Sequence, residues 1–218
     1  MAVRSLQTVE EYERLIKGER FKVTTDEHKF VFFSGRYADE FKQKLFTYTK
    51  MTGAFGFTTL EQTLGGRWLH NQQLHKELVS PDGCLIGKPS WKALSQSEVN
   101  SIWDFASKKY AEQAQGEVVV VCLDSKPIST FQREELPALL KNENVTLLNG
   151  ISRQELLAKY LASHDQNKQQ QTIHEMTQML GRRAKQYENF MEQQLRRQQE
   201  QNQSIEQQRP AYQHARTH

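Results

Sequence analysis

Three short runs of consecutive apolar residues stand out along the first 150 residues of the chain. They are FVFFSG at 30–35, EVVVVCLD at 117–124 and NVTLLNG at 144–150. Continuous runs of this length, closed by turn-forming residues, are typical of strands that are buried on both faces of a sheet. The pattern therefore predicts three strands of one buried sheet.

Segments with helical periodicity alternate with these runs. Helix starts are marked by Ser/Thr-x-x-Glu, in which hydroxyl and carboxylate satisfy free backbone donors reciprocally. The pattern occurs at Thr8–Glu11, Thr58–Glu61, Ser95–Glu98 and Ser152–Glu155. Helices are predicted at 36–50, 96–114 and 152–163, with Gly116 able to end the second one.

The alternation predicts an α/β fold: a short, largely parallel sheet flanked by helices, with a helical N-terminal part. Ligands of such sheets usually bind beyond the carboxyl ends of the strands. The segments SGRY, LDSKPIST and STFQREE, which begin at residues 34, 123 and 129, are expected at that edge.

The pattern changes from about residue 165, where Gln becomes dominant. Between 169 and 208, apolar residues recur at helical spacing and trace one stripe. This predicts a long amphipathic helix that packs on its own domain or on a second copy, as in a homodimer; the alternative is docking to a partner or neutralising protein. The chain is thus divided into a globular domain, 1–164, and a Gln-rich helix and tail, 165–218, disordered beyond Pro210.

Composition excludes several classes of function. Net charge is only +3, with signs interspersed, so no nucleic-acid partner is expected. Two cysteines cannot build a disulfide framework or a structural zinc site, and no metal site is expected. Without a signal-like or membrane-length apolar segment, the expectation is a soluble protein with no signal peptide, cytoplasmic or delivered into the cytosol of a target cell.

No Gly-rich phosphate loop, HExxH, GxSxG or paired CxxC motif is present. The residues that remain as candidates for chemistry are scattered, and each has an ordinary structural explanation when taken alone. They are Phe33, Glu61, Trp103, Ser107, Ser129, Thr130, Phe131 and Glu135.

Their order along the chain carries more information than any one of them. FVFFSGRYADEF is followed by FTTLEQTL, then by SIWDFASKKYAEQAQGEVVVVCLD and STFQREE. Over roughly residues 30–150 this succession resembles the ADP-ribosyl cyclase family, the NAD glycohydrolases known from animal lymphocyte surfaces and from sea hares. The blocks that correspond are an aromatic–Ser pair ending a strand, Thr-Leu-Glu-x-Thr-Leu, Trp-x-x-x-Ser and Ser-Thr-Phe-Gly-x-x-Glu.

The resemblance implies roles for individual positions. Glu135 matches the catalytic glutamate, which contacts the ribose hydroxyls of NAD. Trp103 matches the indole that stacks on nicotinamide, Phe33 stands where the family usually has a second tryptophan, and Glu61 matches the glutamate that helps to decide between hydrolysis and cyclisation. The positions expected to hold the rest of the substrate are Ser34, Arg36, Ser107, Ser129, Thr130 and Phe131.

Two departures shape the expected function. The roughly ten cysteines of the animal enzymes are absent, and LGGRWLHN replaces the segment that carries an acidic pair in the family. Both this change and Phe33 weaken the case for cyclisation more than for cleavage. The resulting hypothesis is an NAD glycohydrolase that releases nicotinamide and ADP-ribose, with cyclic ADP-ribose as a minor product. NAD is then a substrate, no cofactor is expected, and the expected role is that of an NAD-depleting toxin or effector.

Two alternatives remain open. Gln132-x-Glu134 superficially matches the motif of ADP-ribosyltransferases, in which Glu134 would orient a protein acceptor. A non-enzymatic module that binds NAD or ADP-ribose, or an interaction protein that works through its Gln-rich helix, is the other.

Overall fold

The structure, a computed structural model, describes residues 8–19, 21–23, 29–34, 43–44, 57–73, 94–122, 129–163 and 165–214. Its centre is a five-stranded sheet in the order β2-β1-β3-β4-β5. Strand pairs β1–β2, β1–β3 and β3–β4 are parallel, and only the short β5 runs antiparallel, to β4. The strands are β1 Lys29–Ser34, β2 Phe57–Thr58, β3 Gly116–Cys122, β4 Val145–Leu148 and β5 Ile151–Ser152.

Six helices have both ends within the described residues, together with a turn of 3-10 helix at Leu60–Gln62 and a turn of π-helix at Phe131–Glu135. The predicted α/β class with a largely parallel sheet is confirmed. None of these helices is apolar over a length that could cross a lipid bilayer. The helices are α1 Val9–Lys17, α2 Leu64–Gln73, α3 Gln96–Glu112, α4 Leu136–Lys141, α5 Arg153–Leu161 and α6 Gln166–His214.

Only some of the predicted capping boxes are formed in the structure. Thr8 and Ser95 form the predicted capping boxes at the starts of α1 and α3. The prediction for Thr58–Glu61 is wrong by one residue, because Thr58 ends β2 and the side chain of Gln62 instead accepts from the N–H of Thr59 at 2.9 Å. Glu61 therefore has no capping role.

Three further predictions concern where helices begin and end. Helix α3 ends at Glu112, before Gly116. Gly116 has a positive φ of 67° and is the first residue of β3. Most of the predicted helix at 36–50 falls outside the described residues. Within that range the structure describes only residues 43–44, and both are helical. Helix α6 continues through Pro210, beyond which disorder was predicted, to His214.

Side chains of successive strand residues point to opposite faces of the sheet, and the two faces are covered differently. One face, with Phe32 and Val120, belongs to the main core, which is completed by helices α1 to α5 and by Met176 and Leu180 of α6. The other face, with Val31 and Val121, packs against Met191 of α6. We call these the α3 face and the α6 face.

Helix α6 is fixed closely to the sheet. The side chain of Asn149 bonds both the N–H and the carbonyl of Val120 in β3, and also donates to the carbonyl of Leu180 in α6 at 3.0 Å. A Cβ at Gly181 would lie 2.6 Å from the carbonyl oxygen of Cys122. This part of α6 therefore packs on its own domain, one of the predicted arrangements.

Candidate functional site

Glu135 is the last residue of the π-turn that leads into α4. Pro137 has no backbone N–H to offer to the carbonyl of Arg133, four residues earlier, so an α-helical ladder cannot pass through this point unbroken. The N–H of Leu136 donates to the carbonyl of Phe131, five residues back. Turns of this kind are frequent at functional sites. This one buries Glu135, which is 7% exposed.

The neighbouring Glu134 has different surroundings. It is only partly buried and lines two open grooves on the outer side of α3, together with Lys108 and Glu112. The two adjacent carboxylates, Glu134 and Glu135, therefore occupy separate environments.

The buried environment changes the acidity of Glu135. Loss of hydration raises its pKa from the ordinary value of 4.5 to about 8. A hydrogen bond from Ser107 favours the ionised form, while the negative charges of Glu61 and Asp104 oppose it. Burial and two nearby carboxylates outweigh the single hydroxyl donor, so the unliganded protein holds a proton on Glu135 at neutral pH.

Helix α3 and the strand ends are joined beside Glu135 by Tyr110. Its buried hydroxyl donates to the carbonyl of Thr58 at the end of β2 and accepts from the N–H of Val31 in β1 at 3.3 Å. Burial raises its pKa well above the ordinary value, and the charges of Glu135 and Glu61 add to this. Tyr110 thus fixes the strand end that precedes Glu61 to the helix that carries Ser107.

A second connection lies at the start of the π-turn. The hydroxyl of Thr130 donates to one carboxylate oxygen of Asp104 at 2.8 Å, and Nη2 of Arg133 donates to the other at 2.6 Å. One acidic side chain of α3 therefore holds the segment that ends in Glu135.

Comparison with protein-family profiles identifies one family. The sequence profile described as ADP-ribosyl cyclase matches residues 4–194, most of the chain. The chain belongs to the ADP-ribosyl cyclase family.

Solved ADP-ribosyl cyclases resemble the chain weakly. A glutamate-to-alanine mutant of an ADP-ribosyl cyclase is 24% identical with a TM-score of 0.41, over 65% of this chain and 55% of that one. The Aplysia cyclase complexed with substrate NGD and product cGDPR is 25% identical with a TM-score of 0.40, over 65% and 54%. The chain thus spans little more than half the length of these proteins. No curated protein matches it.

Several positions that correspond to the ADP-ribosyl cyclase motifs lie together at the carboxyl edge of the sheet. Trp103 and Ser107 are one turn apart on α3, and Trp103 is partly buried against the core. Ser34 ends β1 opposite Cys122, whose thiol lies close enough to Glu135 to sense its charge. Glu61 is exposed in the 3-10 turn, within electrostatic range of Glu135.

The structure does not bring Phe33 to this group. Phe33 follows Phe32 in the strand and therefore points to the α6 face, where it packs against the cluster that contains Met191. Phe131 is 1% exposed in the main core. Ser129 accepts a long bond, 3.4 Å, from the N–H of Gln132.

The remaining predicted position, Arg36, lies outside the described residues. Within the described ranges, no group of three or more His, Cys, Asp or Glu side chains is placed to hold a metal ion.

Sequence reasoning missed two residues of the site, Asp104 and Tyr110. Asp104 directly follows Trp103, and an acid beside a candidate stacking residue could have been noted. Tyr110 lies on the apolar face of α3, but the sequence gives no sign that its hydroxyl bonds two strands.

The arrangement combines one buried carboxylate with a hydroxyl donor, partly exposed acids and a partly buried indole. Such a carboxylate can stabilise a developing positive charge, because no bulk water competes for it. It can also donate a proton while neutral.

Proposed function

We propose that the protein is an NAD glycohydrolase, in which Glu135 stabilises the ribosyl centre while the bond to nicotinamide breaks. The observation that carries the proposal is the burial of this one carboxylate at the carboxyl edge of the sheet, bonded by Ser107. Membership of the ADP-ribosyl cyclase family supports NAD as the substrate class.

The chemistry needs little from the protein. The C–N bond between ribose and the pyridinium breaks with both electrons going to nitrogen, so nicotinamide leaves as a neutral molecule and needs no acid. Water then adds its oxygen to the ribosyl carbon and releases a proton, giving ADP-ribose. An ionised carboxylate on the ribose stabilises the oxocarbenium-like transition state by charge and by accepting hydrogen bonds.

The raised pKa of Glu135, about 8, is compatible with this role. NAD brings a cationic pyridinium next to the carboxylate, and a nearby positive charge favours its ionised form. Substrate binding therefore promotes the ionisation that catalysis needs. In the free enzyme, cleavage at low substrate concentration should rise with pH through the pKa of Glu135.

We assign supporting roles to three further residues. Trp103 stacks on the pyridinium by cation–π attraction, worth about 0.5–2 kcal/mol, which fades once the ring is neutral. Ser107 orients Glu135. The hydroxyl of Thr130 donates its hydrogen bond to Asp104. Its oxygen can therefore still accept a hydrogen bond from a ribose hydroxyl.

Hydrolysis rather than cyclisation is proposed as the main outcome. Cyclisation requires NAD to fold back within an aromatic cage, and Phe33 packs beneath α6 instead of facing Trp103. Glu61, exposed beside Glu135, is proposed to influence the partition between water and cyclic product.

An enzyme that only consumes NAD would deplete the cell that contains it. We therefore propose the role of a toxin or effector, and production in a host cell should lower its NAD pool in proportion to cleavage activity. A homodimer and a neutralising or docking partner of α6 stay predictions.

The proposal is tested with purified protein and etheno-NAD, whose fluorescence rises when the glycosidic bond is cut. We expect a rise at micromolar protein, with nicotinamide and linear ADP-ribose as the main products on chromatography. Equal amounts of nicotinamide and protein-bound ADP-ribose would instead identify a transferase. If the fluorescence does not rise and NAD binds reversibly, the protein is a binding module and the proposal is overturned.

A further inference from the structure

Asp104 is placed to control the segment that ends in Glu135. Its carboxylate receives the hydroxyl of Thr130, just before the π-turn, and the guanidinium of Arg133, inside it. Asp104 is 21% exposed and Arg133 41% exposed, so the ion pair is partly shielded from solvent. A single side chain thus fastens the turn to α3 at two points, less than two helical turns before Glu135.

Asp104 also belongs to the charged surroundings of Glu135. Among the described residues, the polar and titratable groups that interact electrostatically with Glu135 come from three elements. They are Asp104, Ser107 and Tyr110 on α3, Glu61 on the 3-10 turn and Cys122 on β3. The negative charge of Asp104 opposes ionisation of Glu135, and Arg133 partly neutralises that charge.

We propose that Asp104 is a positioning residue that holds the π-turn through Thr130 and Arg133 and sets the electrostatic field at the carboxylate of Glu135. The inference rests on the proposed function of Glu135. It gives Asp104 two separable effects, one on geometry and one on charge.

The two effects are separated by Asp104→Asn and Arg133→Gln. Asparagine keeps an oxygen for the hydroxyl of Thr130 but loses the charge and the ion pair. Glutamine at 133 loses the ion pair and leaves the charge of Asp104 less neutralised. Both variants should lower kcat about tenfold with a smaller change in KM, because a loosened turn misplaces Glu135. The titration midpoint of Glu135 should move to lower pH in the first variant and to higher pH in the second.

The midpoint is measured without reference to activity. The carboxyl carbon of Glu135 is followed by NMR in protein labelled with ¹³C-glutamate, with the Glu135→Gln variant assigning the resonance. Opposite displacements support the inference. Midpoints that stay in place, or move in the same direction, would show a purely structural clamp and overturn it.

This design keeps the two proposals apart. If wild-type protein does not cleave NAD, the proposed function fails, while the NMR titration still tests the effect of Asp104 on Glu135. If Asp104→Asn does not fold, Arg133→Gln alone decides, since a midpoint that fails to rise contradicts the inference.

Discussion

The two faces of the sheet are built from the same strands but serve different purposes. On the α6 face, Val31, Phe33 and Val121 meet Met191 in an apolar layer. On the α3 face, equally apolar strand residues lie beside a buried carboxylate, a tyrosine hydroxyl and a serine. The strands do not determine which face carries chemistry. The helix that covers the face does, because α3 supplies Ser107, whose hydroxyl bonds the buried acid.

The largest expected difference between the two faces is the free-energy cost of burying Glu135 on the α3 face. Its raised pKa means that the folded state keeps a proton that the unfolded chain has lost, so stability falls as pH rises from 4.5 to about 8. Glu135→Gln removes this loss. The variant should be more stable than wild type above pH 8, by up to about 5 kcal/mol, since one pKa unit corresponds to about 1.4 kcal/mol.

The measurement is urea unfolding of both proteins at pH 5 and pH 9. The gain from glutamine should be small at pH 5 and largest at pH 9. A gain that is independent of pH would mean that Glu135 is not a neutral buried acid in the free protein.

The comparison is sharpened by one aromatic residue from each face. Phe33→Ala should reduce the free energy of unfolding by roughly 1–3 kcal/mol, below the full cost for a buried phenylalanine, and leave cleavage per folded molecule unchanged. Trp103→Ala should lower kcat/KM for NAD about 2- to 30-fold, the equivalent of a lost cation–π contact. Equal losses of cleavage in both variants, measured where both are folded, would place Phe33 in the site after all.

How far the sequence predicted this arrangement depends on the residue. Strands β1, β3 and β4 and helix α3 were readable because apolar patterns reflect burial directly, whereas the two-residue strands β2 and β5 leave no such pattern. The face of Phe33 was not, because in FVFF every position is apolar and alternation leaves no mark. Glu61 was assigned to a cap because Thr58 and Thr59 are equally good candidates, and only strand pairing at Phe57–Thr58 decides between them.

The site itself was predictable only through motif order. STFQREE indicated a functional segment, but the π-turn that separates Glu134 from Glu135 depends on Pro137, which lies two residues beyond that segment. The contacts of Asp104 with Thr130 and Arg133 join residues 26 and 29 positions apart, and no local pattern announces them.

A smaller effect on stability is expected from the ion pairs between Lys44 and α6. Lys44 donates to Glu188 and Glu192 of α6, at 2.7 Å in each case. Burial raises the pKa of Glu188, but the bonds from Lys44 and Lys185 outweigh it and leave the pKa below its usual value. Lys44→Met should reduce the free energy of unfolding by about 1 kcal/mol, because it removes one partner of a buried carboxylate.

Lys185→Met is the matched control. Lys185 also contacts Glu188, at 3.2 Å, but its side chain is 62% exposed, so its loss should cost less than that of Lys44. Cleavage of NAD should be unaffected by either substitution. A larger loss at Lys185 would contradict the assigned importance of Lys44.

The central claim, that Glu135 alone of the adjacent pair acts on the substrate, is tested most directly by nicotinamide release from NAD in Glu135→Gln and Glu134→Gln. The two substitutions make the same chemical change one residue apart, in an inward and an outward environment. We predict a loss of about 10²–10³-fold for Glu135→Gln, the usual scale for removing one group that stabilises a transition state, and near wild-type release for Glu134→Gln. Loss at Glu134 with activity kept at Glu135 would contradict the account.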